Sequence, residues 1–313
     1  MAYSTDAYKS NSFSDSVNKT VILAGATGDL GGRIANHLSA SGAAIKALVR
    51  KGSSPHLELE QMNGVQTIEV DYNNKAELQK ACAGGAVVVS ALSGLDDVII
   101  DLQTKLAEAA IKAGVPRFIP SDYCIDYKKL PVGNNRNLDL RRAFNEQLDK
   151  KNIKATSILN GMFTDLLTGQ APVILTGIKR VMYWGNASQS MDFTTIDNTA
   201  AYTAAAALDD TTPRYLNIAG EVATINDLKM AASDVYKQSF KLFRLGGLGA
   251  FKTMINLIKK IAPQKNEVFP AWQGMQYLHD MFTGLPKFTT LNNDRYPKIK
   301  WTRITEVLES ARN

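Results

Sequence analysis

The sequence predicts an α/β fold with a doubly wound, mostly parallel sheet and a smaller C-terminal substrate lobe. From Lys19 onward, short apolar runs alternate with helical stretches, as in successive βαβ units. Gly42, Gly84 and Gly114 stand where those helices should end. The predicted strands are residues 20–24, 45–49, 67–70, 87–90, 118–120 and 155–159, and the predicted helices are 30–41, 75–83, 98–113 and 138–150.

The same pattern divides the chain into three parts. Residues 1–18 are rich in Ser, Asn, Asp and Tyr without an apolar period, so we expect a flexible tail. Residues 19–160 carry the regular alternation and form the predicted core. Residues 161–313 are predicted to be a mixed α/β lobe that returns at least one strand to the sheet, with strands at 181–184, 191–194 and 215–218 and an Ala-rich helix at 199–208.

Composition narrows the classes of function. The chain has 313 residues, 45% of them hydrophobic, and a net charge of +6 whose cations are interleaved with carboxylates along the whole length. That distribution argues against a nucleic-acid partner. No apolar run is long enough for a membrane helix, so we expect no membrane partner. The two cysteines, Cys82 and Cys124, and the three histidines lack metal-ligand spacing, which favours a cytoplasmic protein without a metal.

A glycine-rich loop follows the first predicted strand and leads into a helix. It reads Gly25-Ala26-Thr27-Gly28-Asp29-Leu30-Gly31. In a dinucleotide-binding turn the first glycine permits the tight exit from the strand, the second lets backbone amides approach a pyrophosphate, and the third lets the helix pack on the sheet. The helix N-terminus then favours the anion. The loop and its position predict a nicotinamide dinucleotide site that includes Thr27, Asp29 and Leu30.

The end of the second predicted strand indicates which dinucleotide is bound. An NAD site usually places a carboxylate there, but this chain has Arg50 and Lys51. Two cations suit the 2′-phosphate of NADPH, although such residues are also ordinary solvated loop charges. The sequence favours NADPH.

Further cofactor contacts are predicted where the next strands end. Asp71 and Tyr72 follow the third strand, and Asp71 either accepts from the adenine amino group or caps the next helix. Ser90, Ala91 and Leu92 follow the fourth strand and are expected to border the cofactor, because ligands of open α/β sheets bind at the carboxyl ends of the strands.

These features together resemble the NmrA-like and isoflavone-reductase-like proteins, which are atypical short-chain dehydrogenases. The resemblance rests on the Gly25–Gly31 loop, Arg50, Asp71, the segment 113–123 ending in "RFIPSDY", and Asn160-Gly161-Met162-Phe163. It implies a Rossmann fold and NADPH binding. Isoflavone-reductase-like members reduce aromatic substrates, whereas NmrA binds the dinucleotide and acts as a regulator without catalysis.

The resemblance also implies a catalytic lysine in the helix after the "PSDY" segment. Aligning the Arg141-Arg142 pair with that of the family places Asn137 at the lysine position. An amide can orient a carbonyl but cannot supply a proton as an ammonium does. A relocated donor is then Tyr123 or Tyr127, and Arg136 is a candidate to hold an anionic substrate. The Tyr296–Lys300 pair, which has Tyr-x-x-x-Lys spacing, contains Pro297 and lies far from the cofactor strands.

Residues after the fifth and sixth strands complete the predicted site. Ser121 and Asp122 are expected to line the cofactor. Asn160, Met162 and Phe163 are expected to border the substrate beside the nicotinamide, with core packing as the alternative for Met162 and Phe163. The function predicted from all of these residues is an NADPH-dependent reductase of a small aromatic or conjugated carbonyl compound. The alternative is a non-catalytic NADP(H) sensor that acts through a protein partner.

Overall fold

A six-stranded parallel sheet forms the centre of the first half of the chain. The computed structural model describes residues 19–53 and 57–312, so the predicted tail at 1–18 lies outside the described residues. The strand order is β3-β2-β1-β4-β5-β6, and each neighbouring pair is parallel. This order confirms the doubly wound sheet. The strands are β1 (Thr20–Ala24), β2 (Ala44–Arg50), β3 (Val65–Val70), β4 (Val87–Ser90), β5 (Arg117–Ile119) and β6 (Lys154–Ala155).

Helices connect these strands on both faces of the sheet. The predicted helix 98–113 begins instead as a π-helical turn, Asp97–Leu102, and the buried Gln103 that follows it donates from Nε2 to the carbonyl of Ile99 at 2.8 Å. The other predicted helices are present with ends shifted by a few residues, as is usual for helix termini. The helices are α1 (Asp29–Ala40), α2 (Leu57–Glu60), α3 (Lys75–Cys82), α4 (Gln103–Lys112) and α5 (Arg136–Leu148).

The predicted strand 155–159 is divided in two, which corrects the sequence prediction. Lys154 and Ala155 pair with β5, whereas Ser157–Leu159 (β7) pairs with β12 (Tyr215–Asn217). The division occurs because the Ser157 amide donates to the Arg214 carbonyl at 2.8 Å, so the chain changes partners at Thr156. A strand from the second half of the chain, β12, therefore pairs with the segment that follows β6, in a separate two-stranded sheet.

Within the described residues, the second half of the chain is built from short strands and five α-helices. Apart from β12, its strands form two three-stranded sheets, in the orders β14-β10-β9 and β13-β11-β8. The strands are β8 (Met162–Phe163), β9 (Ile174–Leu175), β10 (Arg180–Trp184), β11 (Met191–Thr194), β13 (Glu221–Ala223) and β14 (Lys241–Gly246). The helices are α6 (Ile196–Leu208), α7 (Ile225–Tyr236), α8 (Leu248–Ile261), α9 (Ala271–Thr283) and α10 (Ile304–Arg312).

Both faces of the central sheet are buried. Val21 and Leu23 belong to the cluster that includes residues of α1 and α6, whereas Ile22 and Ala24 belong to the cluster that includes α3, α4 and α5. Successive side chains of a strand point to opposite faces, so an unbroken apolar strand serves both clusters. The small side chains of α6 let it pack closely on α1. At this contact Asp197 Oδ1 lies 3.0 Å from His37 Nε2.

A third apolar cluster holds the second half together around stacked aromatic rings. The rings of Trp184 and Phe251 lie parallel with centroids 3.9 Å apart, and Phe282 packs against both. Phe251 is fully buried on α8. Because stacked rings contribute beyond their buried area, we expect this contact to anchor α8 to β10.

Replacing Phe251 with Ala should lower the free energy of unfolding by about 3–5 kcal/mol, since it leaves a cavity beside Trp184. Urea denaturation measures this change. Leu257→Ala, on the exposed side of the same helix, is the control and should stay within about 0.5 kcal/mol of the parent chain. Equal losses for the two variants would contradict the assignment of Phe251 as the anchor.

Candidate dinucleotide site and substrate side

The glycine loop is shaped by two backbone contacts that exclude side chains. Gly25 has φ +86°, and a Cβ there would lie 2.6 Å from the carbonyl oxygen of Ala91. A Cβ on Gly31 would lie 2.0 Å from the carbonyl oxygen of Gly25. Both distances are far below any real contact, so these two positions require glycine for the strand, the loop and the helix to meet as they do. Gly28, by contrast, has only the Gly25 oxygen nearby, at 3.5 Å.

The start of α1 is open for an anion. Gly28 is its N-cap and supplies no side-chain hydrogen bond to the first turn. The amide groups of that turn therefore keep their hydrogen-bonding capacity and the positive end of the helix dipole. Thr27 and Asp29 are exposed and Leu30 is half-buried. The Asp29 carboxylate accepts from Arg33 Nε at 2.7 Å, so the one acidic group of this turn is paired with a cation.

Arg50 is the cation best placed for a 2′-phosphate. It ends β2 and is exposed, and within residues 19–53 and 57–312 its guanidinium makes no hydrogen bond or ion pair. Lys51 is also exposed, but its Nζ lies 3.7 Å from Glu77 Oε1. Arg50 therefore keeps all its donors for a ligand, whereas Lys51 shares its charge with a carboxylate.

The structure separates the roles of Asp71 and Tyr72. Asn74, not Asp71, caps α3, because its Oδ1 accepts from the amides of Ala76 and Glu77 at 3.1 and 3.2 Å. Asp71 is exposed, and its Oδ1 accepts from the Asn73 amide at 2.8 Å. Tyr72 was predicted to contact the cofactor, but its side chain packs in the core beside α3. Burial raises the pKa of the Tyr72 hydroxyl, and the Arg50 charge opposes that shift.

The residues that follow β4 and β5 are joined to each other. The Ser121 hydroxyl donates to the Leu92 carbonyl at 2.7 Å, and the Ser121 amide donates to Gln103 Oε1 at 3.0 Å. Ala91 is the residue whose carbonyl meets Gly25. Ser90 is fully buried, and its hydroxyl has no hydrogen-bond partner in the described part of the chain. The segment 90–92 thus borders the glycine loop, and Ser121 fixes it from the next strand.

Asp122 lies inside the protein and not in the cleft, which corrects its predicted place beside the cofactor. Its carboxylate accepts from Asn145 Nδ2 at 2.9 and 3.1 Å, and its carbonyl accepts from Arg141 Nε at 2.8 Å. Burial raises the pKa of Asp122, while the positive charges of Arg141 and Arg214 oppose the shift. The residue joins the exit of β5 to α5.

Tyr123 and Tyr127 are both core residues, so their predicted role as proton donors does not fit their positions. Tyr123 adopts φ +33° and packs in the cluster between the sheet and α6. Tyr127 packs in the cluster of the second half. Burial raises the pKa of each hydroxyl above its ordinary value, which makes both poorer acids. The neighbouring Cys124 is buried, and burial likewise raises the pKa of its thiol.

Asn137 has a fixed structural role at the start of α5. Its Nδ2 donates to the carbonyl of Val268 at 2.8 Å, its Oδ1 accepts from Arg136 Nε at 3.0 Å, and its side chain is 1% exposed. Both ends of the amide are thus engaged, and the predicted contact with a substrate carbonyl does not fit this arrangement. A local sequence window shows nothing of this contact, because Val268 lies more than a hundred positions away.

Arg136 is engaged in the same way, which corrects its predicted role as an anion-binding residue. Its guanidinium donates to the carbonyls of Lys265, Glu267 and Val268 at 3.3, 2.8 and 2.9 Å, and it lies over the Trp272 ring at 4.7 Å. The residue joins the segment between α8 and α9 to the start of α5.

The segment after β7 contributes one partly open side chain. Asn160 is fully buried, and its side-chain Nδ2 and Oδ1 have no hydrogen-bond partner in the described residues. Gly161 has φ +71°, and a Cβ there would lie 2.2 Å from the Asp192 carbonyl oxygen. Met162 packs in the core of the second half, as the alternative interpretation expected. Phe163 is half-buried, so it keeps surface that a ligand can reach.

The described residues contain neither a metal-binding cluster nor a membrane-spanning helix. Within the described ranges, no group of three His, Cys, Asp or Glu side chains is placed to hold a metal ion. None of the described helices is long and apolar enough to span a membrane.

Comparison with known proteins establishes the family. The model of the NmrA-like family matches residues 17–269. The chain belongs to the NmrA-like family. A curated relative, the oxidoreductase BOA1 of Botryotinia fuckeliana, is 29% identical over 150 residues, which are 47% of this chain and 49% of the relative. The chain thus spans about half the length of that relative.

Solved structures share the fold of this NmrA-like chain. Pinoresinol-lariciresinol and phenylcoumaran benzylic ether reductases superpose with a TM-score of 0.80 at 20% identity, covering 94% of this chain and 99% of theirs. The triphenylmethane reductase of Citrobacter sp., complexed with NADP(H), superposes with a TM-score of 0.69 at 21% identity, covering 93% and 99%. These likenesses confirm the Rossmann-type architecture predicted from the sequence.

Replacing Gly31 with Ala should weaken NADPH binding by roughly tenfold or more, since the new Cβ forces the loop away from α1 and displaces its amides. Fluorescence titration of NADPH measures the affinity. Gly32→Ala is the matched control, because a Cβ there lies 3.4 Å from the nearest atom and should leave binding unchanged. Wild-type affinity in Gly31→Ala would show that the close approach does not shape the site.

Proposed function

We propose that this NmrA-like protein is an NADPH-dependent reductase of a small aromatic or conjugated carbonyl compound. Residues 19–160 are the proposed dinucleotide-binding core, and residues 161–313 the proposed substrate lobe. The observation that carries the cofactor assignment is Arg50, an exposed cation at the end of β2 that forms no ion pair with the described residues, where an NAD site has a carboxylate. The NADP(H) bound by the Citrobacter reductase, which shares this fold, supports the assignment.

The residues present fit a dinucleotide in three respects. Gly25 and Gly31 let the strand, the loop and the helix meet closely, Gly28 leaves open space for a pyrophosphate, and the uncapped start of α1 supplies amides to its oxygens. Arg50 offers a planar set of donors to a 2′-phosphate. Bound NADPH supplies a hydride, and the protein's contribution is to orient the reacting groups.

The substrate side is proposed to lie between Phe163 and the start of α5. Phe163 offers partly open aromatic surface after β7. The start of α5 is held in place from the second half of the chain, through the Arg136 and Asn137 contacts to residues 265–268. The structural neighbours include reductases named for pinoresinol, phenylcoumaran benzylic ethers and triphenylmethane dyes, all aromatic compounds, which supports an aromatic substrate.

Incubation with NADPH and a panel of quinones, enones and aromatic aldehydes tests the reductase. We expect a substrate-dependent loss of NADPH absorbance above the rate without protein, and a product carrying deuterium from deuterated NADPH. A Gly31→Ala sample is the control for traces of a contaminating enzyme. A panel without turnover, in a preparation that binds NADPH, would contradict the proposal.

The cofactor assignment predicts a selective effect at Arg50. Arg50→Asp should weaken NADPH binding by about 10- to 100-fold, because it removes a charge-assisted contact to the 2′-phosphate, while NADH binding stays equal or improves. Isothermal titration with both cofactors measures this. Lys51→Gln is the matched control and should change NADPH affinity only slightly, since Lys51 already faces Glu77. Equal losses of NADPH and NADH in Arg50→Asp would show that Arg50 does not contact the 2′-phosphate.

The position of Asn137 favours a second candidate, a non-catalytic NADP(H) sensor that acts through a protein partner. The resemblance implies a catalytic lysine where this chain has a buried amide engaged by Arg136 and Val268. A sensor must bind the oxidised and reduced cofactors with different affinities, because a ligand can shift an equilibrium only by its differential affinity. Titration with NADP and NADPH tests this, and equal affinities would contradict the sensor.

A further inference from the structure

The positive charge of the chain is concentrated in one segment. Residues 241–272 contain six Lys or Arg side chains and one carboxylate, Glu267, so they contribute +5 of the net charge of +6. The interleaving predicted from the sequence therefore holds only for the rest of the chain. The segment comprises β14, α8, the connection 262–270 and the start of α9. Its cations are Lys241, Arg244, Lys252, Lys259, Lys260 and Lys265.

The same segment exposes large apolar side chains. Helix α8 carries two apolar stripes, since residues three or four positions apart share a face. One stripe, containing Phe251 and Ile255, is buried against the core. The other contains Leu257 and Ile261, which are 55% and 72% exposed, and half-buried Met254 lies between the two stripes. Phe243, Leu245 and Phe269 add exposed apolar surface from β14 and the connection.

The cations of this surface are available to a partner. None of the six forms an ion pair with a carboxylate of the described residues. Arg244 Nε donates to the Gly185 carbonyl at 3.0 Å, and Lys259 lies over the Trp272 ring at 4.9 Å. Both contacts leave the positive charge without a counter-ion. The surface formed by residues 241–270 of the chain, here named the basic apolar surface, thus combines unneutralised charge with exposed Leu, Ile and Phe.

We propose that the basic apolar surface binds peripherally to an anionic lipid surface, with α8 lying in the plane of the interface. An amphipathic helix with Lys and exposed Leu, Ile or Phe meets both demands of such an interface, because the apolar side chains enter the boundary region and the cations pair with headgroups. A second copy of this chain is the poorer occupant, since two surfaces of +5 repel each other. Nucleic acid offers phosphates but no apolar region for Leu257 and Ile261.

The test is co-sedimentation of the full chain with two kinds of vesicle. One contains phosphatidylcholine alone, and the other contains phosphatidylcholine with about 30% anionic phosphatidylglycerol. We expect binding only to the anionic vesicles, and release in about 0.5 M NaCl, where the Debye length falls to roughly 4 Å. Binding that is equal on both vesicles, or absent from both, overturns the proposal.

Charge variants distinguish vesicle binding by the basic apolar surface from vesicle binding that depends only on the net charge of the protein. The triple variant Lys252→Glu, Lys260→Glu, Lys265→Glu should bind anionic vesicles at least about tenfold more weakly, because each cation near the surface contributes to affinity. The control triple variant Lys75→Glu, Lys80→Glu, Lys150→Glu has the same net charge, and its substitutions are exposed positions in the first half of the chain. Equal losses in the two triples overturn the proposal.

Substitutions of exposed apolar side chains test whether α8 inserts into the lipid interface. Leu257→Gln should weaken vesicle binding severalfold, whereas Met230→Gln, at a position that is 57% exposed on α7, should not. Thermal melting and NADPH titration of each variant verify the fold.

Light scattering with size exclusion tests the competing occupant of the basic apolar surface, a second copy of this chain. A dimer that is lost in Leu257→Gln, together with unchanged vesicle binding, would assign the surface to self-association and overturn the proposal.

Discussion

The close approach of Gly31 to Gly25 is the contact on which the proposed dinucleotide site depends. Since a Cβ at Gly31 would lie 2.0 Å from the Gly25 oxygen, α1 can begin directly against the end of β1 only with hydrogen at that position. This packing sets the direction of α1 and leaves the amides of its first turn facing the carboxyl edge of the sheet. Gly25 in turn meets Ala91, so the loop is fixed against β4 as well. The Gly31–Gly25 and Gly25–Ala91 contacts together therefore fix the positions of β1, α1 and the end of β4 relative to one another.

Features that depend on neighbours in sequence were predictable. One βαβ unit contains the apolar run 20–24, the glycine loop that follows it and the next helix. A short stretch of sequence therefore contains the whole pattern. Arg50 was predictable for the same reason, because it follows its strand directly. The parallel, doubly wound sheet was predictable because strands alternate with helices along the chain. The family resemblance added predictions for segment 113–123, which contains the fifth predicted strand, and for segment 160–163, which follows the sixth.

Features that depend on side-chain direction or distant partners were not predictable. Asp122 follows β5 as a cofactor-lining residue would, yet its carboxylate meets Asn145 inside the protein. Tyr123 adopts φ +33°, and this turn directs its ring into the core. The change of pairing at Thr156 depends on the Arg214 carbonyl, which belongs to another part of the chain. For Asp122 and for the change at Thr156 the deciding partner is distant in the sequence, where no periodic pattern points to it.

The proposed cofactor residues and the proposed substrate side lie on different elements. The loop after β1, the end of β2 and the segment 90–92 fit a dinucleotide without any contribution from α5. The start of α5 is instead held by the second half of the chain, because Arg136 and Asn137 bind the carbonyls of residues 265–268. A change at position 137 can therefore alter the substrate side while leaving the dinucleotide site intact. Under the proposed function, the glycine loop therefore retains the cofactor whichever side chain stands at position 137, and the choice between reductase and sensor depends on the substrate side alone.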